Sequence, residues 1–176
     1  MDFPQSNNSQ LNKLILLLVF DKMDFPVMEQ NIICIASEFN SWIPYMECKE
    51  TISQLLEAGF IYQSMHENNI YYSITPDGRT CLSHFYTNVP TSLRSAITEY
   101  IKENRLDFRR RQEYFRDYYK NPDGTYTVVL KITSLGQTAF ELKFNVATRH
   151  TAKLVYSKWD EKAAHVYYLL HEQLID

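Results

Sequence analysis

The sequence predicts an α+β protein, with an N-terminal winged helix-turn-helix followed by a C-terminal antiparallel three-stranded sheet with flanking helices. Three observations carry this prediction. Three stretches of helical apolar spacing precede Gly59, and two short runs rich in aromatic and β-branched residues follow it. All four glycines, Gly59, Gly78, Gly124 and Gly136, stand where the chain is expected to turn. Beyond Pro90 the pattern changes to one helix, three strand-like runs and a long helical tail.

The elements follow in order. A first helix is expected over residues 9–22, with Ser9 as its N-cap. Its run 14–20 is apolar nearly all round, which places it at the centre of a domain. Phe25-Pro26 breaks it, because the residue before proline is pushed away from the helical region. A second helix over 28–39 carries Ile32, Ile35, Ala36 and Phe39 on one face, and Asn40-Ser41 signals a turn. The third helix begins near Pro44, whose missing N–H is harmless in a first turn, and stops at Gly59.

Strands over 60–66 and 70–74 then flank Glu67-Asn68-Asn69 as a hairpin. A short helix from Pro76 to about Tyr86 closes the unit. Pro90 marks the boundary between domains at 1–88 and 89–176. A helix over 91–105 follows, with Leu93, Ile97 and Ile101 at spacings of four. Strands are read over 106–119, 125–134 and 138–147, joined at Asn121–Gly124 and at 135–137. The chain ends in helical sequence over 148–175, with a break near Asp160.

Charge divides the chain unevenly. Residues 1–88 hold four lysines and arginines (Lys13, Lys22, Lys49, Arg79) against ten acidic residues, a net of −6. Residues 89–176 hold fourteen against eleven, a net of +3. A nucleic-acid reading therefore needs basic residues from the second half. Cys34, Cys48 and Cys81 are odd in number and scattered, which suits a reducing compartment and a role as small buried hydrophobes. The run 14–20 is too short to span a bilayer, and the polar stretch before it makes a poor signal peptide. A cytoplasmic chain without a membrane partner is expected.

Four separated glycines exclude a P-loop or a dinucleotide fingerprint. No CxxC or HExxH spacing is present, and Cys81 with His84 supplies only two ligands, so neither metal nor cofactor is expected. No activated nucleophile or acid–base pair can be named, and the expectation is a protein that is not an enzyme.

The helix over about 44–58 is the candidate recognition helix. Cys48, Ile52, Leu55 and Leu56 form its inward stripe, and Met46, Lys49, Glu50, Ser53 and Glu57 face outward. Tyr45, Met46, Lys49 and Ser53 are the candidate DNA contacts, because they lie near a helix start, where side chains reach base edges. The wing over about 60–74 adds His66, Asn68 and Asn69 at its tip. Glu47, Glu50 and Glu57 repel phosphate and favour ordinary solvated positions instead. Arg105, Arg109, Arg110 and Arg111 are read at the entry to a strand, Arg109 and Arg111 on one face and Arg110 on the other. An edge-protecting or solvated strand face is the preferred reading for them, and contact with phosphate or an anionic effector is the alternative.

Two stretches carry a resemblance to known families. Leu55-Leu56-Glu57-Ala58-Gly59-Phe60-Ile61 and Tyr71-Tyr72-Ser73-Ile74-Thr75-Pro76-Asp77-Gly78 resemble the recognition-helix end and wing exit of MarR- and PadR-like winged-helix regulators. Val89-Pro90-Thr91-Ser92-Leu93-Arg94-Ser95-Ala96-Ile97, with Tyr100-Ile101-Lys102-Glu103-Asn104, resembles an uncharacterised bacterial family, domain of unknown function 4364. The resemblance implies a winged helix with a C-terminal α+β region. It also implies a transcriptional regulator that binds double-stranded DNA. A homodimer is expected because helix-turn-helix proteins bind two half-sites through two-fold symmetry. The C-terminal half is expected to pair the subunits, with part of its apolar helices (Val155, Trp159, Val166, Tyr167, Leu170, Leu174) as interface. An unknown small-molecule effector is an open option. The alternative is a winged-helix protein-protein interaction module without DNA binding.

Overall fold

The computed structural model describes residues 5–66, 68–134 and 137–175. The fold is mixed α+β with two antiparallel three-stranded sheets, ordered β1-β3-β2 and β4-β5-β6. The chain divides into two compact units, Met1–Leu106 and Asp107–Asp176.

In the first unit, helix α1 (Gln5–Met23) carries the apolar run, and Leu16, Leu17, Leu18 and Val19 are fully buried. A helix apolar on all sides can satisfy itself only at the centre, and Ile32, Ile35, Ile43, Ile52, Leu55 and Leu82 are buried with it. Ser9 is not the N-cap. The helix already includes Gln5, four residues earlier, and the Ser9 hydroxyl donates to Gln54 Oε1 at 3.5 Å.

After Asp24 (φ 58°), strand β1 (Val27–Met28) pairs with β3 (Asn69–Ile74). The expected helix over 28–39 is a short α2 (Glu29–Ile33) that widens into a π-helical turn, Cys34–Phe39. The wider turn delays the helical phase. Phe39, expected on the inner face, is instead 55% exposed. Trp42 N–H and Ile43 N–H both donate to the Ala36 carbonyl, at 2.9 and 3.0 Å, so the tight turn satisfies the helix end.

Helix α3 (Tyr45–Glu57) has Pro44 as its N-cap, one position before the first turn. It ends in a Schellman arrangement. Gly59 is left-handed (φ 74°), its N–H bonds Leu56 O at 3.1 Å, and Phe60 N–H bonds Leu55 O at 3.0 Å. Strands β2 (Ile61–His66) and β3 pair in register from Ile61↔Ile74 to His66↔Asn69. Asn69 thus belongs to the strand, Asn68 turns with φ 67°, and Glu67 lies outside the described residues. Helix α4 (Pro76–Phe85) is capped by the Thr75 hydroxyl, which accepts from Gly78 N–H at 3.0 Å. Burial pushes the Cys48 thiol up to about 11, with Glu29 adding to the effect, so it stays protonated and packs as a hydrophobe.

Helix α5 (Thr91–Glu113) runs eight residues past its expected end, and β4 (Tyr114–Lys120) is correspondingly short. Arg, Leu, Gln and Glu are good helix formers, and the i,i+4 pair Arg109–Glu113 (2.9 Å) supports the extension.

In the second unit, β5 (Tyr126–Ser134) pairs with β4 and with β6 (Gln137–Val146). The expected turn at 135–137 lies mostly outside the described residues. Helix α6 (Arg149–Leu174) is unbroken at Asp160, whose carboxylate instead holds Arg116 of β4 at 2.8 Å. Trp159 sits at the centre of this core, edge-on to Tyr114 and stacked on Phe140, and its indole N–H is buried without an acceptor among the described residues. Trp159→Ala is expected to cost about 3–5 kcal/mol in urea unfolding. Trp159→Phe should stay within about 1 kcal/mol of the native protein, because it removes an unsatisfied donor together with the lost contacts. Equal losses in the two variants would show that the N–H has a partner.

Candidate nucleic-acid interface

Helix α3 brings four of the candidate residues into one exposed stripe. Tyr45, Met46, Lys49 and Ser53 fall within about 100° of arc around the helix, so they share a face. Met46 is 73% exposed. The Lys49 ammonium lies over the Tyr45 ring, 5.7 Å from its centroid, and the Ser53 hydroxyl donates to Lys49 O at 3.3 Å. Tyr45, Met46 and Lys49 lie in the amino-terminal half of the helix, towards the free N–H groups and the dipole end that favour an anion, and Ser53 lies past its middle.

The three acidic residues of α3 do not act alike. Glu47 Oε2 accepts from Asn12 Nδ2 at 2.9 Å, and Asn12 is itself buried on α1. This carboxylate is therefore drawn towards the helix beneath. Glu50 accepts from Gln54 at 3.2 Å, and Glu57 lies exposed at the far end. Lys49 is the lone cation of α3. Elsewhere in this unit, Arg79 is bound to Asp21, with Asp24 3.5 Å away, and Arg94 stacks on the Tyr86 ring at 4.7 Å.

The hairpin gathers the other three candidates at its tip. His66 and Asn69 form the last cross-strand pair, Asn68 turns between them, and the His66 ring tilts against Tyr71 at 5.7 Å. Sequence reading overlooked Tyr62 and Met65 of β2, which are 52% and 62% exposed. Strand alternation was a signal for Tyr62 alone, which it sets opposite the buried Ile61, whereas Met65 shares the face of Ile61 and is exposed near the hairpin tip. Thr75 was also overlooked as a fastener. Its hydroxyl donates to Gly59 O at 2.7 Å and so joins the end of α3 to the exit of the hairpin.

The arginine cluster lies on a helix, not on a strand. Arg109, Arg110 and Arg111 follow one another around α5, about 100° apart, so they do not present the alternating faces expected of them. Arg109 holds Glu113, Arg110 lies 3.8 Å from Asp107, and Arg111 packs over the Phe108 ring at 5.5 Å. Arg105, in the first unit, is exposed. Among the described residues, no three His, Cys, Asp or Glu side chains are grouped to hold a metal ion, and no helix is long and apolar enough to cross a membrane.

A family model described as Domain of unknown function (DUF4364) matches residues 12–174, nearly the whole chain. Searches of curated proteins and of solved structures gave no match.

Proposed function

We propose that this chain, which belongs to the DUF4364 family, is a homodimeric winged-helix regulator that binds double-stranded DNA. The observation that carries the reading is the strand order β1-β3-β2 with α1, β1, α2, α3, β2 and β3 in sequence. A helix pair joined by a tight turn, with a hairpin closed on one side by a strand from before the second helix, is a winged-helix layout. In this reading α3 enters the major groove, Tyr45, Met46, Lys49 and Ser53 reach base edges and phosphate, and His66, Asn68 and Asn69 touch the flanking backbone. Arg105, Arg109, Arg110 and Arg111 are basic side chains available for contact with phosphate or an anionic effector. The second unit pairs the subunits. No residue is assigned a catalytic role, and the site of action is the cytoplasm.

Selection of genomic duplex fragments by the purified protein at low salt tests the reading. One enriched sequence is expected, with affinity falling steeply as salt rises, because phosphate neutralisation releases counterions. A library that shows no enrichment ends it. A second reading, a winged-helix module that binds protein, is favoured by the exposed apolar Met46, Tyr62 and Met65 and by the exposed carboxylates Glu50 and Glu57 of α3. A stoichiometric protein partner on purification, with any DNA signal unchanged in Lys49→Ala, is the result that supports it.

A further inference from the structure

We propose that the homodimer forms edge to edge through β6, fusing two three-stranded sheets into one six-stranded antiparallel sheet about a two-fold axis at Leu142. The proposal deepens the functional reading above and rests on its homodimer. Strand β6 ends the order β4-β5-β6, and no strand among the described residues pairs with its outer edge. Such an edge presents a row of unpaired N–H and C=O groups, which proteins normally blunt with proline, charge, bulges or a short strand. At ten residues β6 is long, and it contains no proline. Its bulge falls at Ala139, between the pairs Ile132↔Phe140 and Thr133↔Thr138, and leaves residues 140–146 regular.

Charge selects the register. About a two-fold axis normal to the sheet, opposed residues share a face and sit symmetrically around the centre. Centred on Leu142, Glu141 lies opposite the partner's Lys143, Lys143 opposite the partner's Glu141, and Phe140 opposite the partner's Phe144. Directly opposed side chains stand about 5 Å apart at Cβ, where unlike charges and aromatic pairs stabilise and like charges destabilise. Centring on Glu141 or on Lys143 instead sets each against its own copy.

The other edge, β4, fares worse. Centring on Arg116 opposes two arginines, centring on Asp117 opposes two aspartates, and centring on Tyr118 sets Arg116 against the partner's Lys120. Of the two edges, β6 alone offers a register of matched charge through its middle.

Both faces of β6 suit the pairing. Phe140, Leu142 and Phe144 lie on the α6 side and are only half buried, so a neighbouring strand covers apolar surface there. On the opposite face Glu141 and Lys143 are exposed, and Lys131 of β5 lies across from Glu141. Glu141 already holds Lys143 of its own strand at 3.1 Å and lies 4.0 Å from Lys131, and the partner's Lys143 adds a further cation beside that carboxylate.

Sedimentation velocity on the full chain tests this with two single variants, Glu141→Lys and Lys143→Glu. Each alone converts two attractive cross-strand contacts into two repulsive ones, and dimerisation is expected to weaken by about thirtyfold. Mixed in equal amounts, the two variants should form a heterodimer near native affinity. One copy then contributes only lysines at these positions and the other only carboxylates. Recovery on mixing also shows that both variants fold. Single variants that dimerise like the native chain overturn the β6 interface and leave the homodimer standing, and failure to recover on mixing overturns the register. A native chain that is monomeric at all concentrations overturns the homodimer itself.

Discussion

Gly78→Ala is expected to destabilise the first unit by about 3 kcal/mol, although alanine is the better helix former by about 1 kcal/mol. Gly78 lies in the first turn of α4 and does not adopt a left-handed backbone. Its hydrogen faces the start of the hairpin. A Cβ there would overlap the Phe60 carbonyl oxygen and stand 2.9 Å from Ile74 Cγ1 and 3.0 Å from the Phe60 carbonyl carbon. Relief by moving the carbonyl is blocked, because Phe60 O accepts the Thr75 N–H at 3.0 Å. Moving Thr75 instead disturbs the helix cap and its bond to Gly59 O. The strain falls on the joint that fixes the hairpin relative to the end of α3. Urea unfolding should therefore show an earlier midpoint, and duplex binding should weaken with it. Gly124→Ala is the control. That glycine has φ 87° with open space around its Cβ position, so the variant should lose only about 1 kcal/mol, through backbone strain. Gly78→Ala with an unchanged midpoint would show that the close approach yields without cost.

Gly78 also marks the boundary of what the sequence discloses. Its place beside Thr75-Pro76-Asp77 signals a turn, and the turn is there, but the need for glycine comes from a neighbour eighteen residues away. Features governed by local chemistry were legible in this way. The all-round apolar run of α1 is buried, Gly59 ends α3, and both hairpin strands lie within a residue of their expected bounds. Features governed by distant partners were not. Strand β1 has two residues and exists only because β3 offers it an edge. The π-helical turn leaves no mark in the apolar spacing except that Phe39 points outward. The aromatic and arginine residues of 108–116 suggested a strand, but helix propensity holds as far as Glu113, and the sheet begins at Tyr114, which pairs with Ile132. Asp160 looked like a helix break until its partner, Arg116, was in view. For the candidate interface, helical spacing placed the α3 stripe correctly on one exposed face. The diversion of Glu47 towards Asn12 required the packing of α1.

Lys49→Glu is expected to weaken duplex binding by roughly thirtyfold to a hundredfold, and Glu50→Lys to strengthen it by about tenfold. The asymmetry follows from the charge on α3. Lys49 is its lone cation, held over the Tyr45 ring at the amino-terminal half of the helix, so reversing its charge removes one phosphate contact and adds one repulsion. Glu50 is exposed and accepts from the neighbouring Gln54, so a lysine there adds a contact without disturbing a buried partner among the described residues. Neither change reaches the core, because the inward stripe is Cys48, Thr51, Ile52 and Leu55. Thermal stability should therefore stay within about 0.5 kcal/mol of the native value in both variants. Salt titration separates a contact from a general field effect. Removing one phosphate contact lowers the slope of log affinity against log salt by about 1, whereas a remote charge shifts affinity while leaving that slope nearly intact. The two proposed functions diverge at this point. A DNA-binding α3 responds to the two substitutions in opposite directions, with Lys49→Glu reducing the slope. A protein-binding α3 that uses Met46, Tyr62 and Met65 with its acidic flank leaves duplex affinity weak in every variant, and loses its partner on Glu50→Lys rather than gaining DNA.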